Sequence, residues 1–88
     1  MPRLLVMSER VVHRLDRAGY LSALAARREL AAAASANFWV FEQQDEEGHF
    51  LEFIEAGSAE SLDVAIAQIA EYEHMDALIV WKEVGGLN

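Results

Sequence analysis

The side chains of this 88-residue chain whose types could do chemistry are three histidines, His13, His49 and His74, and three carboxylates set inside apolar stretches, Glu42, Glu52 and Glu55. Histidine titrates near neutrality and serves as acid or base. His13 closes the first apolar stretch and could project toward a cleft between sheet and helices; a strand-end residue at a loop needs no such role. His49 opens a later strand beside an acidic turn and is expected to be exposed. Glu71 and His74 have the i, i+3 spacing of carboxylate-bridged metal sites, but such sites need a second copy and further carboxylates. A solvated helix end is the simpler reading, and no metal is expected.

A carboxylate on a sheet interior needs a cationic partner or a raised pKa. Arg10 or Arg14 could supply the partner, making Glu42 or Glu52 a polar anchor in a pocket. The plainer alternative is an alternation that sends each Glu to a sheet edge or an interface rim. His13, Glu42 and Glu52 are therefore the candidate catalytic residues. Tyr20, Trp39, Phe53, Tyr72 and Trp81 could line an apolar ligand pocket between helices and sheet, although aromatics at these spacings also make ordinary core. Of the adjacent Arg27 and Arg28, one is expected in solvent and one lying over apolar surface. No glycine-rich phosphate loop and no nucleophile–base pair is legible, and no cofactor is expected.

The elements that must position these groups follow from periodicity. Residues 3–13 read as a first strand, bent near Ser8 or Glu9. Residues 16–34 read as a helix capped by Asp16, with Tyr20, Leu21, Leu24, Ala25 and Arg28 on one stripe. Residues 37–44 and 49–56 form a hairpin around Asp45-Glu46-Glu47-Gly48, where the glycine supplies a positive φ and the loop closes with four or five residues. Ser58 caps a second helix that buries Leu62, Ala65, Ile66, Ile69 and Ala70 and ends near Tyr72–His74. Residues 77–84 form a fourth strand.

The order β-α-β-β-α-β is the ferredoxin-like one: an α+β domain over residues 1–88, with a four-stranded antiparallel sheet and two helices on one face. Two runs, Phe38-Trp39-Val40-Phe41 and Leu78-Ile79-Val80-Trp81, are apolar at every position. Neighbouring strand residues point to opposite faces, so such runs load both faces of the sheet. Two helices cover one face only. Either Trp39 and Phe41 or Phe38 and Val40 remain for the other, and a second copy of the chain is the expected cover.

These features resemble the dimeric α+β barrel superfamily, and in particular the small antibiotic-biosynthesis-monooxygenase-like proteins. The resemblance covers nearly the whole chain. It rests on the element order, on Tyr20-Leu21 opening the first helix, on Phe38-Trp39-Val40-Phe41-Glu42, and on Phe50-Leu51-Glu52-Phe53-Ile54-Glu55 followed by a capped helix. It implies two sheets packed face to face with the helices outside. Members of that superfamily include cofactor-independent oxygenases of polyphenolic substrates and haem-degrading enzymes. The latter use an Asn, a Trp and a His; Asn37, Trp39 and His74 match in type but not in order or placement, so no roles carry over.

Composition sets the remaining bounds. An apolar content of 53% exceeds the about 45–50% of average soluble chains, which fits a domain that hides surface against a partner. Cysteine is absent, which excludes disulfides and leans toward a cytoplasmic protein. No stretch is long enough to read as a signal core or a membrane span. The net charge of −8 is uneven: residues 1–44 carry six Arg against four acids, residues 45–88 one Lys against eleven. Such a surface repels phosphate backbones, so nucleic acid is not an expected partner. Two functions remain. One is a homodimer that binds or oxidises a small aromatic or apolar molecule in a pocket between helices and sheet. The other is a non-catalytic dimeric interaction or regulatory module without a ligand.

Overall fold

A computed structural model describes residues 2–69 and 79–85 of the chain. Four strands, β1 (Leu4–Val11), β2 (Ala36–Glu42), β3 (His49–Ala56) and β4 (Trp81–Lys82), form one antiparallel sheet in the order β2-β3-β1-β4. Two helices, α1 (Arg17–Ala33) and α2 (Ala59–Gln68), pack on it. The architecture is α+β with the ferredoxin-like element order expected from the sequence. Among the described residues no helix is long and apolar enough to cross a membrane.

Strand parity decides everything about the site. The hairpin pairs Glu42 with Phe50, Val40 with Glu52, Phe38 with Ile54 and Ala36 with Ala56. The Gln43 N–H donates to the His49 carbonyl at 2.8 Å, leaving five residues, 44–48, in the loop. Gly48 has φ +88°, and a Cβ there would lie 2.5 Å from the Val12 carbonyl oxygen. That same stretch of β1's end donates its Val12 N–H to the Gly48 carbonyl at 2.8 Å. Loop conformation and close approach thus both require glycine, and together they lock the register.

With that register, Val6, Phe38, Ile54, Ala36 and Ala56 turn toward the helices and meet Ala31, Leu62, Ala65 and Ile69 in one buried core. Ser58 caps α2 as expected, its Oγ accepting from the Ser61 N–H at 3.1 Å. The buried stripe of α2 is the expected one, with Ile66 at its margin; Ala70 and the expected extension to residues 72–74 lie outside the described residues.

Three expectations need correction. Asp16 does not cap α1: it is already helical, and its side chain makes no capping bond. His13 takes that task for the short 3-10 turn Arg14–Asp16 that leads into α1, its Nδ1 accepting from the Leu15 N–H at 3.2 Å. The buried residues of α1 are Arg27 and Ala31, while Leu21, Ala25 and Arg28 are exposed, so the stripe is rotated from the one expected. The end of α1 is set by Ser35, held at φ 60° in the left-handed region that a helix terminus favours. Of the expected fourth strand, residues 77 and 78 lie outside the described residues, Ile79 and Val80 are not in the sheet, and among the described residues only Trp81–Lys82 pair with Leu5 and Leu4; the Glu83 N–H adds a bond to the Arg3 carbonyl at 2.8 Å.

Candidate functional site

The sheet presents two sites of opposite character. Beneath α1 lies a buried ionic cluster centred on Glu52, which is 0% exposed. Glu52 sits mid-β3 between Phe50 and Ile54 on the helix-facing side. The Tyr20 hydroxyl donates to its Oε2 at 2.6 Å. Arg27 Nη1 donates to Oε2 at 3.2 Å and to Oε1 at 3.4 Å, and Arg10 Nε lies 2.8 Å from Oε2. Tyr20 tilts against Phe50 with ring centres 4.7 Å apart, and the Arg27 guanidinium lies 5.6 Å from the Tyr20 ring centre.

This geometry makes a scaffold. One carboxylate receives a phenol and two guanidiniums, so its charge is compensated and both its oxygens are engaged. Burial, and then the bond to Glu52, push the Tyr20 phenol well above its usual pKa, so it keeps its proton at neutral pH and serves as a hydrogen-bond donor to Glu52. Glu52 is thus a polar anchor with Arg10 as one of its two partners. Arg14 lies at the α1 entrance, exposed, and Arg27 is the second partner. Of the adjacent arginines it is Arg28 that faces solvent.

Glu42 closes the same side at the end of the hairpin. It takes both terminal nitrogens of Arg17, one at 2.8 Å, and the Gly48 N–H at 2.9 Å. The Arg17 bonds first, and the Gly48 N–H second, lower its pKa to about 2. It is committed to holding the loop against α1. His13 is engaged as a cap and borders an open cleft of about 340 Å³ with Arg14, Arg17, Glu47 and Gly48. His49 pairs with Glu9 at 3.1 Å on the far side of the sheet. Among the described residues no three His, Asp or Glu side chains gather closely enough to hold a metal ion; Glu71 and His74 lie outside them.

The second site is the other face of the sheet, which no described element covers. Cross-strand partners share a face, so its rows read Trp39–Phe53–Met7, Phe41–Leu51–Glu9 and Asn37–Glu55–Leu5–Trp81. Trp39 is 47% exposed, Phe41 58%, Trp81 51% and Met7 40%. Phe41 meets Phe53 edge-on at 5.6 Å. The apolar centre is closed by charge at both ends of the strands: Glu9–His49 at one, and Arg3 with Glu55 (3.3 Å) and Glu83 (3.0 Å) at the other.

The expected aromatic pocket between helices and sheet is therefore not assembled. Tyr20 projects from α1 onto the helix side of the sheet, whereas Trp39, Phe53 and Trp81 lie on the opposite face; Tyr72 falls outside the described residues. The physical reason is parity: once Phe38 and Ile54 enter the core, their neighbours must turn away. Arg17 and Arg27 are the residues that sequence reasoning missed. Their signal was present, because residues 17, 20, 24, 27 and 31 follow the 3.6-residue period that places Arg17 and Arg27 with Tyr20, Leu24 and Ala31. Comparison with protein-family models, with curated proteins and with solved structures returned no match for this chain.

Proposed function

We propose that this chain is a homodimeric interaction module that pairs through its open sheet face. One observation carries the reading: a contiguous apolar centre, Trp39, Phe41, Leu51, Phe53, Met7 and Trp81, framed by charged ends. Apolar core with polar rim is how interfaces are built. Aromatic side chains carry roughly 150–250 Å² each, so half-exposed Trp39, Phe41 and Trp81, with Met7, Leu51 and Val11, offer about 500–600 Å² per chain. The charged ends bring this toward the roughly 800 Å² per partner of a stable interface. A second copy presents the same apolar centre, so a two-fold axis through the face would set the two centres against each other. The likeness to the dimeric α+β barrels supports the same arrangement.

Trp39→Glu and Phe53→Glu test it. Each places a charge in the centre of the face without touching the core. Monomers, or protein lost to aggregation, are expected by sedimentation velocity; soluble dimers from both variants refute the proposed face. A second reading, the binding or oxidation of a small aromatic molecule on the helix side, has in its favour the partly open Tyr20 and Arg10 at the rim of the Glu52 cluster. It requires Tyr20 to yield to the ligand. Native mass spectrometry with a mixture of aromatic acids and phenols, showing adducts that Tyr20→Phe abolishes, would favour it over the first.

A further inference from the structure

The outer edge of β2 carries an inference independent of dimerisation. The Gln43 N–H points at the His49 carbonyl, so the odd-numbered residues Asn37, Trp39 and Phe41 turn their main-chain groups toward β3. Phe38, Val40 and Glu42 turn theirs outward, and among the described residues β2 is the edge of the sheet. Natural edges are guarded by lysine, proline or a bulge; Ala36-Asn37-Phe38-Trp39-Val40-Phe41-Glu42 has none of these. Along this edge runs an open groove of about 380 Å³, walled by Leu24, Ala25 and Arg28 of α1 and floored by Phe38 and Val40. Arg28 makes no ion pair among the described residues, while the other α1 arginines, Arg17 and Arg27, are paired.

We infer that this edge receives an extended segment of another protein as a fifth strand, apolar at alternate positions and carrying a carboxylate for Arg28. Main-chain bonds to Phe38, Val40 and Glu42 would supply affinity, and the groove would supply selectivity. A residue opposite Phe38 or Val40 shares their face and points into the groove beside Arg28; its neighbours fall beside Trp39 and Phe41 and are best apolar. A second copy of the chain fits less well. Antiparallel self-pairing about Val40 would offer Arg28 only the partner's Glu42, the single acid of β2, and that carboxylate is already taken by Arg17 and the Gly48 N–H.

The test uses a capped six-residue peptide of alternating valine and threonine with one central glutamate, and its lysine counterpart, titrated into isotope-labelled protein. The amides of Phe38, Val40 and Glu42 are expected to shift and gain protection from exchange, with the glutamate peptide binding about five- to tenfold tighter than the lysine one. Arg28→Glu is expected to reverse that order. Val40→Pro removes an outward N–H and leaves the β2–β3 bonds in place, so binding should be lost while the remaining β3 amides hold their positions. No shift at these three amides up to about 2 mM peptide, which means binding weaker than about 4 kcal/mol, overturns the inference. So does equal binding of both peptides, or protection of the three amides that rises with protein concentration alone, which would mean that a second copy holds the edge.

Discussion

Glu52→Gln is the sharpest perturbation of the fold. The substitution keeps the volume and can still accept the Tyr20 hydroxyl, but it removes the charge that faces Arg27 and Arg10. Glu52 is 0% exposed and the Arg27 side chain 9%, so Arg27 would be left without its counter-ion and largely without water. Removing one partner of a buried pair costs about 3–5 kcal/mol, mostly as the penalty of the stranded charge. A domain of this size has a net stability of roughly 4–13 kcal/mol, so the variant should lose about a quarter of it or more. The assay is urea unfolding followed by far-ultraviolet circular dichroism at fixed protein concentration. The midpoint should fall with an unchanged slope. Adding Arg27→Met to Glu52→Gln removes the stranded charge, and the double variant should be more stable than the sum of the single losses allows, by about 1–3 kcal/mol. A loss below about 1 kcal/mol for Glu52→Gln, or strict additivity in the pair, would refute the reading of this cluster as a buried scaffold.

Glu42 has a folded-state pKa of about 2 against an ordinary 4.5, so its contribution is complete above pH 4.5 and is lost as the pH falls toward 2. Thermal midpoints should drop across that window in the wild type and drop less in Glu42→Gln; parallel curves would dissociate the Arg17 bridge from acid stability. Gly48→Ala meets both a positive φ and the Val12 carbonyl, and should destabilise by about 1–3 kcal/mol in the same urea assay. Ser35→Gly relieves a left-handed residue at the end of α1 and should move stability the other way, by about 0.5–1 kcal/mol. Ser58→Ala removes the bond to the Ser61 N–H and should cost about 0.5–2 kcal/mol.

Much of the fold was legible because its signals are local. Gly48 after three acids, Ser58 ahead of an amphipathic run, and strand-forming residues in 49–56 each name their element without reference to the rest. The fourth strand was placed less well, since the four-residue apolar run 78–81 does not by itself say how much of it finds a neighbour to pair with. The face of the second strand was not legible. Phe38-Trp39-Val40-Phe41 is apolar at both parities, and only the five-residue loop pinned by Gly48 decides that Phe38 enters the core. The ionic cluster was half legible. A glutamate amid Phe50, Leu51, Phe53 and Ile54 demanded a cation, and Arg10 was within reach of the reasoning. Arg27 lies on the same helical period as Tyr20 and Ala31, but rotating the α1 stripe to include an arginine looks unfavourable until the buried carboxylate that compensates it is in place.

The central claim is that the sheet of one chain is covered by the sheet of another. Sedimentation equilibrium of the unmodified protein at micromolar concentration and moderate salt addresses it directly. A particle of two 9.8-kDa chains is expected. A single chain of that mass, soluble and unassociated across the concentration range, would contradict it.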